Sequence, residues 1–242
     1  MTLASSPTAA TTAASTAASN AAPAGGRVPA PGSDCTAAFR AAYENRYTWD
    51  PGFGGYRGRC VWQQGERRLE GSFTVGADLK ATVEGFADEE VHKAVASQLW
   101  EVAIHRVRRS FEQTHGANTF TAGETDAVGT EVIVGGKGDG DRYRIHNDVV
   151  TMVHRHIHGT VVTIFTESTT DTGHGYLSHS YTSQYSDPAT GASRGGLSRF
   201  TDTFVPLTEA GPWVLGERVI DTDSEDDAGR QSFRFEDLQP LA

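Results

Sequence analysis

Among the chain's nine histidines, His154 and His156 stand one residue apart in an apolar-rich run, Val149 to Ile157. On a β-strand side chains alternate between faces, so this spacing sets two imidazoles on one side, ~7 Å apart. Neutral imidazoles so placed chelate a divalent metal such as zinc, copper or iron when a third ligand arrives from Asp141, His179 or Glu167. Used without metal, His154 with Asp141 has the make-up of a general base. The plainer alternative is a pair of rim or surface histidines, with His158 occupying a hairpin turn.

Two tight turns would position these groups. Asn147-Asp148 and His158-Gly159 are two-residue hairpin signals. If they fix the register, Ile145 faces Val150, Tyr143 faces Met152 and Asp141 faces His154. On the other side His156 faces Val161, His154 faces Thr163 and Met152 faces Phe165. The expected inner face then carries Tyr143, Met152 and Phe165 beside the imidazoles, while Arg142, Arg144 and Arg155 point the other way. The same alternation puts Leu177, His179, Tyr181 and Tyr185 on the more apolar face of Tyr176–Ser186. A cavity wall of Tyr143, Met152, Phe165, Tyr181 and Trp213 follows, with His154, His156 and His179 as polar anchors. Apolar walls with a few convergent polar groups are the usual form of a small-molecule site. A slip of one residue would turn these imidazoles outward.

The elements around this wall are legible in outline. Ser33 or Asp34 caps a short helix through Ala37, Phe39, Ala42 and Tyr43. An aromatic-rich stretch, Arg46 to Pro51, precedes a glycine turn; Tyr47, Trp49 and Phe53 in and beside it suit core plugs. Three strands follow, over Tyr56–Gln63, Arg67–Val75 and Leu79–Val83. Val91, Val95, Leu99 and Val102, widened by Trp100, Ile104, Val107 and Phe111, predict one long helix from Asp88 to His115, stopped by Gly116. From Phe120 onward everything reads as strand and turn: Arg142–His146, Val149–Ile157, Thr160–Glu167, Tyr176–Ser186, Arg194–Val205, Trp213–Asp221 and Ser232–Phe235. Short connections make neighbours antiparallel. The predicted class is α+β: a large curved antiparallel meander, a half-barrel, with one long and one short helix packed on it.

Residues 33–242 read as a single domain behind a disordered tail, 1–32, of Ala, Ser, Thr and Pro. The tail lacks the basic start and Leu-rich core of an export signal, and no run of ~18 apolar residues occurs, so the expectation is a cytoplasmic protein without a transmembrane segment. A net charge of −10 and a pI near 5.3 argue against a nucleic-acid partner. Cys35 and Cys60 are expected as reduced thiols. The glycine-rich run Gly135–Gly140 lacks phosphate-loop spacing and leads into a strand. No Gly-x-Ser-x-Gly elbow and no clustered Cys-His ligand set are present.

Two segments carry a resemblance. Ala41-Ala42-Tyr43-Glu44-Asn45-Arg46-Tyr47-Thr48-Trp49-Asp50, continuing to Phe53 and Gly55-Tyr56, resembles the opening of an uncharacterised bacterial family, a domain of unknown function common in photosynthetic bacteria. Asp171-Thr172-Gly173-His174-Gly175-Tyr176-Leu177, followed by Tyr185-Ser186-Asp187, looks like its second half. The resemblance spans about Ala37 to Val219 and implies domain limits, with no activity or catalytic residue to carry over. The architecture is also similar, by analogy, to lipoprotein carriers, half-barrels that hold acyl chains; those carriers are exported. Three readings remain open: a binding or accessory protein holding a small apolar molecule or a protein partner's segment in the concavity, a metal-dependent or metal-binding protein using His-x-His, and an assembly factor acting through its surface.

Overall fold

Asn147 and Asp148 both adopt positive φ (49° and 56°), as do His158 and Gly159 (48° and 76°). Paired positive φ is the backbone of the primed turns that match strand twist, so both sequence signals make hairpins. In the computed structural model, residues 28–223 and 229–241 are described. In chain order the elements are α1 (Thr36–Glu44), β1 (Gly55–Gln64), β2 (Arg67–Gly76), β3 (Ala81–Glu84), α2 (Glu89–Arg106), α3 (Phe111–His115), β4 (Asn118–Thr125), β5 (Thr130–Gly136), β6 (Arg142–His146), β7 (Val149–Ile157), β8 (Thr160–Asp171), β9 (Tyr176–Ser186), β10 (Ser193–Pro206), β11 (Trp213–Thr222) and β12 (Arg230–Pro240).

All twelve strands belong to one open, curved antiparallel sheet of order β3-β2-β1-β12-β11-β10-β9-β8-β7-β6-β5-β4. It is a meander from β4 to β12, to which the meander β3-β2-β1 is joined by pairing of β1 with β12. The α+β class and the curved sheet with few helices are as the sequence predicts. Of the expected tail, residues 1–27 lie outside the described residues. By Gly32 the chain is already bonded to β4, its amide donating to the Ala122 carbonyl at 2.7 Å.

Two hydrophobic cores share the helix-bearing inner face. The first packs α2, through Val95 and Leu99, on aromatic residues of β1, β2 and β12 such as Tyr56, Trp62, Phe73 and Phe233. The second packs α1 and α3 on β4–β7, with Phe39, Phe111, Phe120 and Tyr143 at its centre. Cys35 and Cys60 are free, buried thiols, one in each core. Burial pushes them up to about 11 and about 12, which leaves them protonated and inert. Among the described residues no helix is long and apolar enough to cross a membrane.

Two expectations need correction. The long helix is broken: Val107 is extended (φ −62°, ψ 124°), and Ser110 starts α3 with a capping box, its hydroxyl accepting from the Gln113 amide while the Gln113 side chain accepts from the Ser110 amide. Apolar spacing runs through Val107 and Phe111, but local capping at Ser110 wins. The second correction is register. Ile145 pairs with Val150 as expected, yet Arg144 pairs with Met152, leaving Thr151 as an extra residue in β7. The Thr151 hydroxyl donates to the Val128 carbonyl at 2.7 Å, holding this bulge. Consequently Tyr143 faces Val153, and Arg142, not Asp141, faces His154. Between β7 and β8 the expected pairs Met152–Phe165, His154–Thr163 and His156–Val161 all form.

Candidate functional site

The inner face is unevenly covered. α1 packs on β4, β6 and β7, and α2 on β1 and β3, so β8, β9 and β10 lie between the two helical units. Pairing of Ile164 with Ser183, of Thr166 with Tyr181 and of Tyr181 with Phe200 puts these side chains on one face. It is the inner face, because Asp202, two residues beyond Phe200, reaches α2-bound Arg218. Val162, Ile164, Tyr181 and Phe200 belong to neither core. The rings of Tyr181 and Phe200 stack, 4.7 Å apart and 3° from parallel. This makes an apolar strip across the middle of the sheet.

One side of the strip is a buried polar network. The Arg218 Nε and Nη2 donate to Asp202 Oδ1 and Oδ2 at 2.7 and 2.6 Å, and both side chains are about 2–3 % exposed. Arg218 also donates to the Tyr181 hydroxyl at 2.9 Å and to Gln98 Oε1 of α2 at 2.8 Å, and Glu101 lies 3.4 Å away. His179 Nδ1 bonds the Asp202 carbonyl at 2.7 Å. Burial drives the Tyr181 phenol well above its usual range, so it stays protonated. A fully bonded, charge-balanced cluster of this kind anchors α2 to the sheet.

Beyond this network toward Trp213 runs a strap, Arg46 to Trp49, that crosses from α1 to β1. Tyr47 N–H donates to the Tyr176 carbonyl, and Tyr176 N–H to the Asn45 carbonyl, both at 2.9 Å. Trp213 N–H donates to the Tyr47 hydroxyl, and Trp49 Nε1 to the Trp213 carbonyl, again at 2.9 Å. Trp49 N–H donates to the Arg106 carbonyl at 2.8 Å, and Arg106 Nη1 to the Tyr47 carbonyl at 2.9 Å. The two segments that carry the family resemblance therefore meet: Gly175, at φ +115°, lies so close that a Cβ there would stand 2.5 Å from the Asn45 carbonyl oxygen. Only glycine suits that approach.

Beside the strap sit Arg46, Arg106 and His105. The His105 ring is reachable by solvent yet surrounded by protein on most sides; burial first, then the charges of Arg106, Arg46, Arg218 and Arg155, push it down to about 4. Burial and the neighbouring Arg46 lower Arg106 to about 10, which still leaves it cationic at neutral pH.

Of the residues expected to line a cavity, Tyr181 and His179 are brought together through Asp202. Tyr143 is buried in the second core, and Trp213 is half-buried against the first. The Thr151 bulge puts Met152 and Phe165 on the face opposite Tyr143; Phe165 is 41% exposed. His154 and His156 go with them to that outer face, ring centroids 5.8 Å apart. His154 bonds the Thr163 hydroxyl at 2.9 Å, and His156 lies 3.4 Å from Asp141, whose other oxygen meets Arg155. Glu167 is an exposed residue of β8. Among the described residues no group of three or more His, Cys, Asp or Glu side chains could hold a metal, so the chelate reading gains no support. Sequence reasoning missed Arg46, Arg106, Arg218 and Asp202. Their one signal was the aromatic-rich setting of Arg46.

The family model described as "Protein of unknown function (DUF3386)" matches residues 30–241. No curated protein matches significantly. Similar solved structures include a domain described as a putative outer membrane lipoprotein-sorting protein from Vibrio parahaemolyticus, 8% identical, covering 85% of this chain and 91% of that one at a TM-score of 0.31. A LolA superfamily protein from Nitrosomonas europaea is 8% identical, over 87% and 94% of the two chains, at 0.31. A DUF1329 family protein from Desulfovibrio piger is 8% identical, over 87% and 96%, at 0.27.

Proposed function

The chain belongs to the DUF3386 family, whose description assigns no function, and from the geometry we propose that it is a binding protein. Its ligand is a small apolar molecule, or an apolar segment of a partner, laid on the inner face of β8–β10. One observation carries this reading: Val162, Ile164, Tyr181 and Phe200 form an apolar strip outside both cores, with Val162 and Tyr181 buried and Ile164 and Phe200 left half-buried. The part of Ile164 and Phe200 still in water gains free energy when a ligand covers it, at roughly 25 cal/mol per Å². The fixed polar groups beside the strip supply orientation.

Binding of the neutral dye Nile red, followed by fluorescence, tests the reading. The wild-type protein should bind one dye saturably with a blue-shifted emission. Ile164→Glu, which sets a carboxylate in the strip, should weaken binding at least about tenfold, since a charge has no place in an apolar contact. Phe165→Glu, one position along but on the outer face, should leave it unchanged. Equal effects of the two variants, or no saturable binding by the wild type, would overturn the proposal.

A further inference from the structure

The chain is acidic overall, and its arginines are mostly matched by carboxylates. Arg218 has Asp202 and Glu101, and Arg155 has Asp141. Arg46 and Arg106 are different. They are the part-buried arginines that lack a carboxylate partner among the described residues. Each spends one donor on a carbonyl: Arg46 Nε on Tyr43 and Arg106 Nη1 on Tyr47. Each also meets an aromatic ring, Arg46 over Tyr43 at 3.9 Å and Arg106 over Phe204 at 5.6 Å. Neither contact neutralises a charge. Arg106 Nε is moreover a buried donor with no partner.

The two guanidiniums are neighbours by construction, because Arg106 holds the carbonyl of Tyr47, the residue after Arg46. Arg46 in turn bridges to Tyr176, the first residue of β9. Tyr181 and Ser183 of the apolar strip lie farther along that strand. Two unneutralised cations therefore stand beside the strands that carry Tyr181 and Phe200. Unpaired charge and an unpaired buried donor are costly inside a protein and call for a complementary anion.

We infer that Arg46 and Arg106 form the headgroup site for an anionic amphiphile, whose single carboxylate or phosphate they bind while its alkyl chain lies toward the half-buried Phe200 and Ile164. The inference rests on the binding reading above and adds the chemical class of the ligand. Arginine suits this role, since its planar fork meets carboxylate and phosphate with two parallel bonds.

Calorimetric titration of the full chain with decanoate, decyl phosphate and decanol, all below their micellar concentrations, tests it. At least one anion should bind about tenfold or more tightly than decanol, as a charge-assisted pair of hydrogen bonds allows. The tighter of the two anions identifies the headgroup. In Arg106→Gln the preferred anion should lose its advantage over decanol measured on the same variant; Arg46→Lys, which keeps the charge but loses the fork, should lose part of it. Decanol binding as tightly as both anions would overturn the headgroup inference and leave the apolar site standing. Absence of binding by all three, with no saturable Nile red binding, would remove both. The wild-type comparison needs no variant to fold.

Discussion

His115 sits at the centre of the second core, 7% exposed, with five aromatic neighbours. Its ring centroid is 5.0 Å from Tyr43, 5.2 Å from Phe39, 5.3 Å from Phe111, 5.7 Å from Phe120 and 6.1 Å from Tyr143. Its nearest polar contact is a marginal one, 3.4 Å from Nδ1 to the Asn118 amide. Burial, helped by the charges of Arg155 and Arg46, lowers its pKa from 6.5 to about 4. The folded state thus holds the ring neutral, while the unfolded chain protonates it below 6.5. Stability from this group is complete above pH 6.5 and is lost as pH falls toward 4, where the loss levels off. At ~1.4 kcal/mol per unit, a shift of about 2.5 units is worth about 3 kcal/mol in total, of which roughly 2.5 kcal/mol is gone by pH 4.5. His115→Phe keeps an aromatic ring and removes the titration. Urea unfolding of both proteins at pH 7.5 and 4.5 cancels contributions from carboxylates and other histidines in the difference. The stability of the wild type relative to His115→Phe should fall by roughly 2.5 kcal/mol between these pH values. Parallel loss in the two proteins would refute the argument, and so would an imidazole that titrates near 6.5 by NMR.

Other consequences are as direct. Arg218→Met should cost roughly 3–5 kcal/mol in chemical unfolding, because it strands Asp202 as an unpaired buried charge; adding Asp202→Asn should restore much of that loss, and a single-variant cost under about 1 kcal/mol would mean the network does not anchor α2. Gly175→Ala combines a positive φ with a Cβ 2.5 Å from the Asn45 carbonyl oxygen, whereas Gly173→Ala, at φ +79°, meets nothing within 4 Å. The first should therefore cost clearly more than the ~1–2 kcal/mol of the second and should speed hydrogen exchange at the Tyr47 amide; equal costs would show that the strap yields freely.

Local signals carried most of the architecture. The Asn147-Asp148 and His158-Gly159 turns set two hairpins, and the apolar spacing of Val91, Val95 and Leu99 set α2. Ser110-Phe111-Glu112-Gln113 was a readable capping box inside a run that also reads as helix, and its local hydrogen bonds end the ambiguity. The candidate wall failed at one residue. Thr151 bonds a carbonyl in the turn before β5, a contact across 23 positions, and the bulge this holds turns Met152, His154, His156 and Phe165 to the outer face. Period-two reasoning has no means of anticipating such a bulge. Tyr181 and His179 still meet at Asp202, although the β8–β9 ladder shifts register between Tyr181 and Ser180 and again between Ser180 and Ser178. Arg106 and Tyr47 stand 59 positions apart and Arg218 and Asp202 stand 16 apart. Only the folded strap and the β10–β11 register bring them together.

The uncovered strip also follows from lengths. Twelve strands at a spacing of ~4.8 Å make a sheet ~53 Å across, measured along its hydrogen bonds. α2 has 18 residues and α1 has 9, which at ~1.5 Å per residue gives ~27 Å and ~14 Å. α2 spends its length running from Asp88, paired with Arg67 of β2, to Arg106, beside Phe204 of β10. α1 covers β4, β6 and β7. Laid end to end the two helices fall short by ~12 Å, more than two strand spacings. The broken helix matters here: a continuous rod through His115 would have reached further, but the extended residues after Arg106 turn the chain aside and send α3 into the second core. The stretch between the helices falls on β8 and β9, where Ile164 is left half-buried, and the strap from α1 to β1 holds Arg106 beside Arg46.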